Sequence, residues 1–368
     1  MKKTMIIICI IALVLTMAAC SGKPEPTESQ PASAAPSAAT PAPTISALPE
    51  GTNIGYYTAS DDSAAKAGLE TFKLLAAKEG WNVMEVAGNS APSREIASVQ
   101  QFINAKAAAI VIQSANAETA GKSAVLANEA QIPIFFVDTL PAGSDGGKPD
   151  GYAGYDIKGI GYAVGQEMGK LGASKIIAID GAASEADTMR AGFVDGYKAG
   201  ANNSSFSDKS FASKQAGKGQ SSTAASVMAT AITKTSGQFN AIYVGNDEMV
   251  PGVLEALENA SLTASSYIIG TAKGREGSWE MIQNGDITFC VSQPPTLQAD
   301  LAYQMVKAKL AGTEYKKYVH PYSQVLNKET IANGGIPWDP AEYIKQRDAN
   351  KFVYDLANEN MKEFTYGS

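Results

Sequence analysis

Ala241-Ile242-Tyr243-Val244-Gly245-Asn246-Asp247-Glu248-Met249, continued by Val250-Pro251-Gly252-Val253-Leu254-Glu255-Ala256-Leu257, is the stretch that decides the fold class. Its opening run is apolar without alternation, the pattern of a strand buried on both faces, as in parallel sheets covered by helices. A short polar turn follows, and Val250, Val253, Leu254 and Leu257 then recur at helical spacing. Strand, turn and helix in that order make the repeating piece of a βαβ unit. Working outward, the same piece recurs in both directions. Upstream, strands are predicted at 53–57, 83–87, 107–112, 132–137, 152–155, 175–180 and 205–211. Helices are predicted between them at 64–79, around 96–103, at 117–130, around 160–171, at 186–199 and at 220–235. Downstream come a strand at 267–270, a helix at 276–284 and a strand at 287–291. Two doubly wound parallel-sheet α/β domains are the economical reading. Ile110-Val111-Ile112-Gln113-Ser114-Ala115-Asn116 echoes the opening stretch and suggests pseudo-twofold halves whose strand ends face each other across a cleft, where small molecules bind.

Composition sets bounds on function. The 368 residues are 45% hydrophobic and 18% charged, enough for a sizeable core. Lys and Arg number 30 against 37 Asp and Glu, a net charge of -7, with no block of like charges. Nucleic acid is therefore not an expected partner, since phosphate binding needs a concentrated basic face. Cys9, Cys20 and Cys290 cannot build a disulfide framework, and one histidine, His320, makes a zinc site or a Ser-His-Asp triad a strained proposal. No cofactor and no metal are implied.

Met1-Lys2-Lys3 and the apolar run from Met5 to Met17 read as a signal peptide over 1–19, because a bilayer-spanning helix needs about 20 apolar residues. The ending Leu15-Thr16-Met17-Ala18-Ala19-Cys20 resembles the lipobox of bacterial lipoproteins, which implies lipidation at Cys20. Residues 20–49 form a tether: of the 29 residues from Ser21 to Pro49, 22 are Pro, Ala, Ser or Thr, which cannot build a core and favour an extended chain.

Gly245-Asn246-Asp247-Glu248-Met249 with its flanking strand and helix resembles the Asn-Asp-Glu-Met element of ribose- and galactose-type periplasmic binding proteins. Glu79-Gly80-Trp81-Asn82, Ile132-Pro133-Ile134 leading to Asp138, Tyr155-Asp156, Ala191-Gly192-Phe193 and Val291-Ser292-Gln293 fall in the same order. The resemblance covers roughly residues 53–325. It implies a type I solute-binding fold with a multi-crossing hinge: a first domain at 50–155 plus 294–325, and a second at 156–293 plus 326–368, joined by three crossings. It also implies a small polar, sugar-like solute held between the domains and handed to an ABC transporter permease, with no enzymatic step and a lipid anchor on the extracytoplasmic face of the cell membrane.

Carried over position by position, the resemblance implies ligand-binding roles for Asp62, Asp138, Asn246 and Gln293, whose carboxylates and amides suit neighbouring hydroxyls. Asp62, Asp138 and Asn246 also stand where caps and turns favour Asp and Asn. The chain departs from the family at Ala64 and Ala65, in place of paired aromatics, and at Thr139 and Ala272, in place of an arginine and a carboxylate. Arg190 and Lys273 are candidate replacements that would suit an anionic solute, or else solvated surface charges. Tyr155, Tyr57 and Trp279 are candidate stacking faces, and Trp81, which follows a helix-ending glycine, reads as packed at the base of the first domain or as a further such face. Gly159-Ile160-Gly161-Tyr162-Ala163-Val164-Gly165 reads as close helix packing rather than a dinucleotide loop. A surface ligand sensor of the same fold is the alternative reading, and a glycan hydrolase using Asp138, Asp187 and Asp247 is a third.

Overall fold

The computed structural model describes residues 51–142, 147–333, 335–350, 354–357 and 361–366. The signal peptide, the tether and Cys20 lie outside the described residues. The first lobe begins with β1 (Asn53–Thr58), α1 (Ser63–Lys78), β2 (Asn82–Ala87), α2 (Pro92–Asn104), β3 (Ala109–Gln113), α3 (Ala117–Glu129), β4 (Ile134–Val137) and β5 (Gly151–Ala153). The second runs through α4 (Ile157–Lys170), β6 (Ile176–Asp180), α5 (Ala183–Gly200), β7 (Ser213–Ala216), α6 (Ser221–Thr235), β8 (Ala241–Val244), α7 (Val250–Asn259), β9 (Ile268–Lys273), α8 (Glu276–Asn284) and β10 (Phe289–Ser292). After them come α9 (Pro295–Leu310), β11 (Tyr318–His320), β12 (Gln324–Leu326), α10 (Lys328–Ala332), α11 (Pro340–Ala349) and β13 (Lys362–Glu363).

The first sheet is ordered β13-β11-β5-β4-β3-β1-β2 and the second β12-β10-β9-β8-β6-β7. Stripped of the late strands, both read 5-4-3-1-2 in their own numbering, all parallel, so the halves share one topology. In such a sheet the connections part on either side of the first strand, and a crevice opens beyond its carboxyl end. Each sheet is buried on both faces. In the first lobe Val99, Phe102, Ala120 and Ala124 cover one face, and Phe72, Leu297, Leu301 and Met305 the other.

On the second sheet the α4–α5 pair packs backbone to backbone. A methyl group on Gly161 or Gly165 would stand 1.9 or 2.1 Å from the carbonyl of Met189 or Phe193, and one on Gly192 or Gly196 as close to Lys158 or Tyr162. The glycines read in sequence as a packing stripe on α4 thus meet a matching stripe on α5.

Two expectations need correction. The strand predicted at 205–211 is loop and a short helical turn, because Phe206 and Phe211 plug into Phe193 and Tyr197 as an aromatic cluster; the edge strand is β7. The tail expected with the second lobe returns to the first. β13 pairs antiparallel with β11, and α11 packs on α1 and is tied to α9 by Tyr343 and Arg347, which donate to the buried Asp300. The expected boundary at 325 falls inside β12, which pairs with β10 in the second sheet. Among the described residues the chain therefore passes between the lobes four times, at 154–156, 293–294, 321–323 and between α10 and α11, where three crossings were expected.

Candidate functional site

The carboxyl ends of the two sheets face one cleft. From the first lobe, Asp62 caps α1: one carboxylate oxygen accepts from the Ala65 N–H at 2.9 Å and the other from the Ser60 hydroxyl at 3.0 Å. From the second, Asn246 ends the β8 turn and accepts from the Glu248 N–H at 2.9 Å. Asp247 is buried and fixes the turn after β9, accepting from the Arg275 N–H at 2.8 Å and the Ser278 hydroxyl at 2.9 Å. Arg275 pairs with Glu248 at 2.5 Å and reaches across the cleft to the Ser63 hydroxyl at 3.4 Å.

Asp62, Ala64, Asn246, Glu248, Lys273, Arg275 and Trp338 enclose a chamber of about 130 Å³. Glu248, Arg275 and Trp338 also line an adjoining groove of about 470 Å³, which continues outward between α1 and the starts of α7 and α8. Trp338 belongs to the fourth crossing and was not identified from the sequence. Its indole N–H points to the Ser292 hydroxyl at 3.4 Å, leaving the ring at the wall shared by both cavities. The one signal for it was an aromatic in the run Pro337-Trp338-Asp339-Pro340, where flanking prolines fix the backbone.

Lys273 and Asp138 stand at the carboxyl ends of β9 and β4 with φ of +76° and +67°, a conformation rare outside glycine that clusters at functional sites. Lys273 sits 3.9 Å from Glu185. Burial disfavours its charge, but the carboxylates of Glu185, Asp138, Asp247 and Asp62 outweigh this and hold the ammonium above its ordinary value. Those four carboxylates come from both lobes. Asp138 is exposed and, through its backbone, donates to Ala153 at 3.1 Å and accepts from the Tyr152 hydroxyl at 3.0 Å.

Other sequence candidates lie elsewhere. Arg190 sits inside an ion cluster on β6, α5 and the loop beyond, its three nitrogens meeting Asp180 at 2.5 Å, Asp187 at 2.5 Å and Asp208 at 2.8 Å. Tyr155 clamps the hinge, its hydroxyl donating to the Pro294 carbonyl at 3.1 Å between the first and second crossings. Gln293 is buried at the second crossing, where its N–H donates to the Lys273 carbonyl at 3.0 Å; its side-chain amide nitrogen has no hydrogen-bond partner among the described residues. Tyr57 and Trp81 are core residues, and Trp279 packs beneath α8 against Gly335. Among the described residues no cluster of His, Cys, Asp or Glu is arranged to hold a metal ion, and no helix is long and apolar enough to cross a membrane.

With this geometry in view, the chain was compared with known proteins. No curated sequence matches it. Among solved structures, it resembles an ABC transporter periplasmic solute-binding protein from Actinobacillus succinogenes with bound D-allose: TM-score 0.67, 18% identity, 76% of this chain and 99% of that one covered. It also resembles the periplasmic binding component of the arabinose ABC transporter from Shewanella sp. ANA-3, with TM-score 0.65, 22% identity and coverage of 81% and 97%. A third is an ABC transporter solute-binding protein from Bacillus halodurans with bound myo-inositol, with TM-score 0.64, 18% identity and coverage of 77% and 98%. These likenesses establish the two-lobed type I fold. A family model described as periplasmic binding protein domain matches residues 52–314, most of the chain, and so the chain belongs to the periplasmic binding protein family.

Proposed function

We propose that this protein is an extracytoplasmic lipoprotein, anchored through Cys20, that captures a neutral sugar between its lobes and delivers it to an ABC permease. The observation that carries this reading is the small chamber at the opposed carboxyl edges. Its donors and acceptors come from both lobes, with Asp62 on one side and Asn246, Glu248, Lys273 and Arg275 on the other. A solute bonded to both lobes is fully satisfied only when the cleft closes, which couples affinity to hinge angle. Trp338 supplies the aromatic face that Ala64 and Ala65 do not. Sugars fit because their hydroxyls match carboxylates and amides while their C–H faces stack on an indole. The named ligands of the structural relatives, allose, arabinose and myo-inositol, are all neutral polyols.

Charge argues against the anionic solute that Arg190 and Lys273 suggested in sequence. Three carboxylates hold Arg190, Arg275 is paired with Glu248, and Lys273 lies in the field of four carboxylates, with Glu185 at 3.9 Å. An incoming phosphate or carboxylate would meet this acidic surround and repel it.

The test is a thermal-shift and calorimetric screen of residues 50–368 against neutral monosaccharides and inositols, sugar acids and sugar phosphates. A neutral sugar at a hundredfold excess over its Kd is expected to stabilise the fold by about 2.7 kcal/mol. Anionic sugars are expected to give no shift, and Trp338→Ala to weaken the neutral ligand about tenfold or more while Trp338→Phe retains most of it. Tight binding of sugar phosphates with no response to neutral sugars would reverse the reading.

A further inference from the structure

We infer that the solute is not a lone monosaccharide but a glycoside whose apolar aglycone occupies the outer groove. This rests on the sugar reading above and extends it. A hexose displaces on the order of six waters at about 30 Å³ each, about 180 Å³ in all, so one ring more than fills the chamber of about 130 Å³ and still leaves most of the groove of about 470 Å³ unfilled. The two spaces adjoin, sharing Glu248, Arg275 and Trp338 as their common wall.

Their chemistry differs. The chamber is edged by Asp62, Asn246, Glu248, Lys273 and Arg275, whereas the groove adds Ala67 from α1, Pro251 from α7, and Gly277 and Met281 from α8, beside the polar Ser63, Asp247, Ser278 and Asp339. Ala67 lies one helical turn beyond Ser63, so both line the same face of α1. Met281 is partly buried against the second-lobe core, and a thioether adapts its shape to an apolar partner and makes favourable contacts with aromatic rings. Trp338 lies on the boundary, where its ring can cover a sugar face and the first atoms of a substituent. The two lobes together thus build a polar cup beside a less polar trough, an arrangement that fits a sugar joined to an apolar group.

The experiment uses the same protein, residues 50–368, with a panel of free pentoses and hexoses and both anomers of their 4-nitrophenyl glycosides, read by calorimetry. One glycoside is expected to bind about tenfold tighter than its parent sugar. Met281→Gln, of similar length but polar, should erase most of that preference, and Ala67→Leu, which fills the groove from the facing helix, should exclude the glycoside. Both variants should leave the parent sugar within about twofold of its original affinity. Equal or weaker binding of every glycoside overturns the inference while the sugar reading stands. So does a preference that survives both substitutions, or one for disaccharides over aryl glycosides. Failure of free sugars and glycosides alike overturns both readings.

Discussion

Arg190, read within a helix, and Lys273, read in the turn after a strand, are paired by the sequence as candidates for an anionic solute, and the folded chain treats them differently. Of Arg190's three acidic partners only Asp187, one helical turn away, stands at a spacing that sequence can read; Asp180 and Asp208 arrive through the sheet and a loop. Lys273 was legible as a strand-end residue, but the carboxylates around it come from four separate segments, two of them in the other lobe. Asp62 and Asn246 were legible because a strand end followed by a helix fixes where a cap must stand. Trp338 was not, being brought in by a crossing that sequence did not announce. Glu95, which no functional argument singled out, is wholly buried, with the Ser114 and Ser123 hydroxyls each donating to it at 2.7 Å. Burial pushes its carboxyl up, against the lowering effect of those bonds. A raised acid is harmless below its unfolded value, about 4.3, and penalises the native state as pH climbs through the folded value. Glu95→Gln removes that dependence. Wild type is therefore expected to gain stability relative to Glu95→Gln between pH 7 and pH 4, by melting curves of both proteins at each pH; a constant difference would contradict it.

Among the elements, the long ones were read nearly to the residue, since α1, α6 and α8 carry clear helical periodicity and β3, β4 and β8 are unbroken apolar runs. Those that escaped are short. β12 and β13 have three and two residues, too few for any pattern to repeat, and β7 reads Ser-Lys-Gln-Ala because it is an edge strand with one neighbour. The α4–α5 seam was half legible: the stripe on α4 was noticed, its counterpart on α5 was not. A methyl at Gly196 would lie 1.9 Å from the Tyr162 carbonyl, a backbone atom that cannot swing away. Gly196→Ala is expected to cost about 1–3 kcal/mol by overpacking. Gly277→Ala, with nothing within 4 Å of the added carbon, should be neutral or gain about 0.5 kcal/mol. Chemical denaturation of the pair distinguishes a steric seam from a general penalty on glycine replacement.

For the molecule as a whole, the fourth crossing links a buried anchor to the cleft. Asp300 is fully buried, accepting from the Tyr343 hydroxyl at 2.8 Å and Arg347 at 2.6 Å, which seats α11 on the first lobe. Asp339 caps that helix directly after Trp338. Asp300→Ala removes the acceptor of the Tyr343 hydroxyl and leaves Arg347 with Asp348 at 3.5 Å, and is expected to destabilise the fold by about 1–3 kcal/mol. It should also weaken solute binding measured at a temperature where the variant remains folded, although residue 300 does not touch the cleft. Unchanged affinity in a folded variant would show that Trp338 is held by its other contacts alone. The same interleaving governs the order in which the protein can be made. The sheet begun by residues 53–153 lacks α9, β11, α11 and β13 until residues 294–363 have been translated, so more than half of the core on one of its faces, including Leu297, Leu301, Met305, Val319 and Tyr343, is missing from a nascent chain. The lobe that emerges first is the last to close, and a partly synthesised chain stays open and threadable for as long as its final segment is still on the ribosome.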